Sequence, residues 1–199
     1  TALGGRIYVA GGIAQCGTTA AFEGYDRTTD RWEELPPLPE AVHHLAAAAT
    51  DDRIYVTGGY TNLLFSEITK RAWAYDPGAR RWTGIADLPG PRAAHGMAAI
   101  EGRLYVVGGV GPASEEIWVY DPATDRWEAA PAPLPTQREH LAVTVLDGKL
   151  YAVGGRWGDA GNLAALEIYD PAAGTWTRGP DLPTPRSGLT ASVLKGRIH

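Results

Sequence analysis

Three arginines stand at one repeated place in this chain. Arg92, Arg138 and Arg186 each lie four residues after the Leu of a Leu-Pro pair, in LPGPRAAH, LPTQREH and LPTPRSG. Val42 takes the same slot in LPEAVHH. A guanidinium is a permanently charged planar fork that matches carboxylate and phosphate oxygens. Three of them at equivalent positions on one end of a fold would hold an anionic ligand or an acidic peptide. The competing reading is structural: each arginine lies along its own repeat unit and pairs with a neighbouring carboxylate or carbonyl.

Aromatic and polar residues outside any repeated slot form a second group of candidates. Tyr60, Asn62 and Phe65 share the segment YTNLLFSEITK, whose consecutive Leu63, Leu64 and Phe65 suggest a contact site or a segment folded over the molecule. Arg156, Trp157, Asp159 and Asn162 make a polar and aromatic cluster of the kind that peptides or sugars use. The competing reading has Trp157 covering its own sheet. His44 and His140 fall at one repeat position with His95 one residue off, and they read as polar residues at strand starts, so no metal site is expected. Cys16 is the lone cysteine, so an intrachain disulfide is impossible. Phosphate-loop, GxSxG and HExxH motifs are absent, and the adjacent Glu115-Glu116 and Asp51-Asp52 are not carboxylates facing across a cleft. No catalytic residue and no cofactor is therefore assigned.

The elements that must position these residues repeat four times. Gly-Gly pairs at 11–12, 58–59, 108–109 and 154–155 close the apolar runs RIYVA, RIYVT, RLYVV and KLYAV. Tyr-Asp follows at 25, 75, 120 and 169, and seven residues beyond each Tyr stands Trp32, Trp82, Trp127 or Trp176. The period is about 48 residues, in the range of propeller and solenoid repeats. Each period reads as four short strands: a small apolar one, the Gly-Gly run, an alternating one such as EIWVYD, and one opening at the Trp. Asp-Pro between the third and fourth strands favours a type I turn capped by the Asp. Stacking such sheets around an axis buries both faces, and the competing antiparallel sandwich would not require a 48-residue period. The small residues of the first strands fit that crowding, and the Gly-Gly pair is expected to receive the unit's own Trp. The four Trp should then be largely buried.

A Gly-Gly-terminated strand, then Tyr-Asp, then Trp, about 50 residues apart, resembles the kelch repeat over essentially the whole chain. The resemblance implies an all-β fold, a kelch-type β-propeller with four four-stranded antiparallel blades visible. Its units are about 1–35, 44–85, 94–130 and 139–179, with the start of a further blade at 188–199. The chain opens at a second strand and ends where another begins, which reads as a segment of a six- or seven-bladed ring; the alternative is a four-bladed ring with a frayed tail. Kelch resemblance implies a binding scaffold, with arginines such as Arg92, Arg138 and Arg186 gripping acidic motifs in adaptor-type relatives. The alternative is a carbohydrate-active enzyme on the same frame, a sialic-acid-type mutarotase or a galactose-oxidase-like copper oxidase, although no motif of the latter matches here.

Composition bounds the partners. Glycine 25 and proline 15 suit a turn-rich fold, and 44% apolar residues supply a core. A net charge of −5 lacks the footprint of a nucleic-acid binder, and no apolar run reaches the length of a membrane span. The expected partner is a protein, a peptide (an acidic one matching the arginines) or a carbohydrate. The intervals from the Gly-Gly pair to the next Tyr vary, so the loops at 13–20, 60–71, 110–115 and 156–165 join the inter-blade loops as the candidate binding face.

Overall fold

The computed structural model describes residues 1–199. Four four-stranded antiparallel sheets, each a meander in chain order, account for most of the chain, and three two-stranded hairpins decorate them. The chain divides into two compact units, Thr1–Ala93 and Ala94–His199. Unit one holds sheet one (Ala2–Leu3, Arg6–Ala10, Phe22–Asp26, Arg31–Glu34) and sheet two (Ala46–Ala49, Ile54–Thr57, Ala72–Asp76, Arg81–Gly84). Unit two holds sheet three (Gly96–Ile100, Arg103–Val107, Trp118–Asp121, Arg126–Ala129) and sheet four (Ala142–Leu146, Lys149–Val153, Leu166–Asp170, Thr175–Arg178). No helix is long and apolar enough to cross a membrane.

In sheets two, three and four the second strand carries the core, whereas in Arg6–Ala10 of sheet one only Tyr8 is buried. Ile54, Val56, Leu104, Val106, Leu150 and Ala152 are all fully buried, as a near-continuous apolar run requires when both faces of a strand are covered. First strands are built from small residues because they pack closely. A Cβ added at Gly96 would collide with Val143 of the neighbouring first strand in unit two.

The tryptophans correct one expectation. Each packs at a tilt against the Tyr directly opposite it in its own sheet, with centroid separations of 5.3, 5.1, 4.9 and 5.2 Å for the Tyr25–Trp32, Tyr75–Trp82, Tyr120–Trp127 and Tyr169–Trp176 pairs. They do not sit on the Gly-Gly pairs. The indole of Trp82 reaches the preceding sheet and donates to the Pro36 carbonyl at 2.9 Å, and Trp176 reaches Ala132 at 3.4 Å. Full burial is not observed: Trp82, Trp127 and Trp176 are half-buried and Trp32 is 58% exposed.

Other details follow the sequence pattern. The Asp after each Tyr caps its turn, with Asp26, Asp76, Asp121 and Asp170 accepting from the N–H of Thr28, Ala79, Ala123 and Ala172 at 2.8, 2.8, 2.9 and 3.0 Å. The chain does not open on a second strand, because Ala2–Leu3 forms a short first strand paired to Arg6 and Ile7. Near the other end, only Val193–Leu194 and Arg197–Ile198 pair, as a small hairpin.

Candidate functional site

Within each unit the loops after the Gly-Gly pairs and the inter-blade loops emerge at one end of the sheets, since an even number of strand reversals returns the chain to the end it left. Backbone bonds lock them together. The second glycine of each pair donates to the carbonyl of the inter-blade slot: Gly12 to Val42, Gly59 to Arg92, Gly109 to Arg138 and Gly155 to Arg186, at 2.8 to 2.9 Å. The first glycine lies so close to the same loop that a Cβ at Gly108 would come within 2.5 Å of the Arg138 carbonyl. The Gly-Gly pair is therefore the seat of the next inter-blade loop. Two residues past each slot the backbone is left-handed, at His44, Ala94, His140 and Gly188 with φ of 55, 53, 51 and 63°. In unit two this bend links successive loops, His140 N–H donating to Ala94 and Gly188 N–H to His140, both at 2.9 Å.

The slot arginines divide. Arg138 is fully buried and donates to Glu167 at 2.7 Å, to the Ala152 carbonyl at 3.0 Å and to the Thr136 carbonyl at 3.2 Å. Thr136 Oγ1 donates to the second Glu167 oxygen at 2.6 Å. Burial lowers the Arg138 pKa, while the charge and hydrogen bond of Glu167 oppose the shift. Arg92 is 1% exposed. Arg186 is exposed and reaches only the nearby Thr184 carbonyl, at 3.4 Å. The three guanidiniums thus do not share one environment, and Arg138 takes the structural role weighed for it. Its partner Glu167 escaped the sequence reading. The signal was its parity: in LEIYD it shares the buried face with Tyr169 rather than facing outward with Leu166 and Ile168.

Tyr60, Asn62 and Phe65 come together in unit one. Tyr60 bridges to His43 through two backbone bonds of 2.8 and 3.0 Å, and their rings stack at 5.5 Å. Phe65 packs edge-on against Tyr60, His43 and His44 at 5.1, 4.9 and 5.3 Å. Its backbone is left-handed, φ 56°, an uncommon state for a bulky residue. His43 is buried, and its Nε2 donates to the Asn62 carbonyl at 2.9 Å. A carbonyl only accepts, so Nε2 carries a proton, and His43 Nδ1 lies 2.6 Å from His44 Nδ1. Asn62 Oδ1 accepts from the Ser66 N–H at 3.2 Å, and its Nδ2 donates to Ser66 Oγ at 3.0 Å.

Arg156, Trp157 and Asn162 share a hairpin in unit two, Arg156–Trp157 paired with Gly161–Asn162 around a 3-10 turn at Gly158–Ala160. Arg156 bridges to Glu139, the repeat equivalent of the Tyr60–His43 bridge. The Glu139 carboxylate accepts from Arg156 Nε on one oxygen and contacts His140 Nδ1 with the other. Asn162 Oδ1 accepts from Ser187 Oγ at 2.8 Å, next to Arg186. Trp157 is half-buried. Glu139 and Ser187 carried no repeat signal in the sequence. No group of three His, Cys, Asp or Glu side chains is placed to hold a metal ion, and Cys16 is exposed at the tip of the hairpin pairing Ile13–Ala14 with Gly17–Thr18.

Four meanders, Gly-Gly seats and a face of divergent loops define a repeat protein of propeller type. The Kelch motif profile matches residues 1–39, 41–89, 91–133 and 137–183, and the chain belongs to the kelch-repeat family. It is similar to Kelch-like protein 35 of Mus musculus, 32% identical over 91% of this chain and 30% of that protein. It is also similar to Kelch-like protein terF of Aspergillus terreus, 31% identical over 99% of this chain and 36% of that protein. The chain thus spans about a third of the length of these curated relatives. Among solved structures, one described as the structure of YjhT superposes with a TM-score of 0.83 at 18% identity, covering 98% of this chain and 68% of that one, which supports the propeller fold.

Proposed function

We propose that this chain is part of a protein-interaction scaffold that docks partners at the loop end of each unit, where the inter-blade loops and the loops after the Gly-Gly pairs emerge. The observation that carries this reading is the contrast between frame and loops. Every Gly-Gly seat makes the same backbone bond to the next loop, while the segments between seat and third strand differ in length, form and chemistry. A rigid frame with divergent loops is the arrangement in which specificity is placed. The contact residues are Tyr60, Asn62 and Phe65 on unit one and Arg156, Trp157, Asn162 and Arg186 on unit two. Arg92 and Arg138 belong to the frame.

Site-specific photo-crosslinking in cells tests the proposal. A crosslinker at Leu64 or Asn162 should trap a protein adduct, whereas one at Thr177, on an outer strand, should not. Equal trapping at all three sites, or none at the loops, would reject the loop face as the docking surface.

A further inference from the structure

Neighbouring side chains on an extended strand point to opposite faces, so His43 and His44 would not be expected to act on one ligand. The structure brings them together. His44 takes a left-handed backbone, φ 55°, and its Nδ1 comes to 2.6 Å from Nδ1 of His43. The two ring centroids stand 4.8 Å apart with the planes at 72°. His43 is buried and His44 is half-buried, which leaves the pair a path to water.

The surroundings hold His43 as a ligand is held. Its Nε2–H donates to the Asn62 carbonyl at 2.9 Å, so in the neutral ring Nδ1 carries the lone pair. A metal-ligating histidine is fixed in the same way, with its other N–H on a carbonyl or carboxylate. Tyr60 stacks on His43, and Phe65 packs edge-on against both imidazoles, so the rings have little room to turn.

The equivalent pair in unit two shows what such donors attract. His140 is also left-handed, φ 51°, and its Nδ1 contacts the carboxylate of Glu139. The other Glu139 oxygen accepts from the Arg156 guanidinium. Arg156 bridges to Glu139 as Tyr60 bridges to His43. Unit two therefore supplies a cation to its pair, whereas in unit one the same repeat position brings a neutral ring.

Coordination geometry selects the cation. With metal–imidazole bonds of about 2.0–2.1 Å, ligands at a right angle stand roughly 2.9 Å apart and tetrahedral ones roughly 3.4 Å. The observed 2.6 Å lies nearer the right angle. A square-planar or tetragonal cation that prefers imidazole, Cu²⁺ or Ni²⁺, asks the pair to open least. Tetrahedral Zn²⁺ asks for more, and Ca²⁺ and Mg²⁺ take oxygen ligands.

We propose that His43 and His44 form a two-nitrogen site for Cu²⁺ or Ni²⁺, each ring binding through Nδ1 and water completing the coordination. The site goes beyond the docking reading and does not depend on it. Through the Asn62 carbonyl, a bound metal would brace the turn that carries Leu63 and Leu64.

Titration of the intact chain with Cu²⁺, followed by amide NMR, tests it. The paramagnetic ion should first broaden the amides of His43, His44 and Asn62 to Phe65. Broadening centred on Thr1, His95, His140 or His199 would overturn the proposal, as would no binding at all. H44N keeps a residue that tolerates the left-handed backbone and should weaken Cu²⁺ binding at least about tenfold. H140N should leave the affinity unchanged. Equal affinity in H44N and the parent would overturn the site, and the parent's broadening map decides the matter if H44N fails to fold. Ni²⁺ should outcompete Zn²⁺ at the pair; the reverse order would overturn the right-angle geometry on which the assignment rests. Crosslinking at Leu64 is read without metal, so either reading can fail alone.

Discussion

Arg138 and Arg186 occupy the same repeat slot and do opposite work. Arg138 is buried with Glu167, and its other bonds go to main-chain carbonyls. Removing one member of a buried pair leaves an uncompensated charge, so R138A should lose about 3–5 kcal/mol in urea unfolding. R186A changes an exposed side chain and should stay within about 0.5 kcal/mol. Equal losses would mean that both arginines are bound alike. Asp26 supplies a pH-dependent case. The Thr28 hydroxyl, then the Thr28 N–H, then Arg6 among its cations, hold its carboxyl at about 2, below the usual 3.8. The folded state therefore binds fewer protons than the unfolded one between those values. Its contribution is present above pH 3.8 and disappears as pH falls to about 2. D26N should flatten that stretch of the stability–pH curve, read as the urea midpoint at successive pH values; an unchanged slope would assign the acid sensitivity to other carboxylates. Side-chain identity in a repeat slot was legible in the sequence, but its environment was not. Arg92 and Arg138 are both buried in that slot and Arg186 is not, and the Glu167 that pairs with Arg138 on the buried face of a third strand has no repeat.

At the scale of the strand and its loop, the Gly-Gly seat is the device that joins one sheet to the next. Gly108 has φ 66° and a Cβ there would approach the Arg138 carbonyl to 2.5 Å, whereas Gly102 has φ 77° with nothing within 4 Å. G102A should therefore cost only the left-handed penalty, about 1–2 kcal/mol. G108A must also push the inter-blade loop off its seat and should cost at least about 1 kcal/mol more. Thermal or urea unfolding of the two variants isolates the close approach from backbone strain; equal costs would remove the seat from the account. The pattern of four strands, Gly-Gly and Tyr-to-Trp spacing made the sheets legible because each is a local, period-two signal. The destination of the Trp was misread because the ring packs against a Tyr brought opposite by strand pairing and reaches the sheet before it. Neither relation is local in the sequence. The hairpins at 13–18 and 156–162 were legible only as loops of variable length, since two-residue strands leave too short a pattern to recognise.

For the whole chain, repetition sets how stability is distributed. A repeat protein gains its stability from each unit and from nearest-neighbour interfaces, so damage stays close to where it is made. The bonds that tie sheets together are of this kind: Trp82 to Pro36 and Gly12 to Val42 in unit one, Trp176 to Ala132 and Gly109 to Arg138 in unit two. The chain divides into the compact units Thr1–Ala93 and Ala94–His199. Amide hydrogen exchange on R138A measures the consequence. The strand Lys149–Val153 loses the Arg138 bond to the Ala152 carbonyl and the charge partner of Glu167 beside it, so its protection should fall first. The strand Ile54–Thr57 of sheet two, fully buried in the other unit, should keep its protection under the same conditions. If both strands lose protection by the same factor, the chain opens as one cooperative body, and loops on the two units are coupled through global stability. If sheet four alone loosens, a binding loop on unit one can be altered or occupied without cost to unit two. That second behaviour is what lets each loop on the face diverge independently while the seats beneath stay the same.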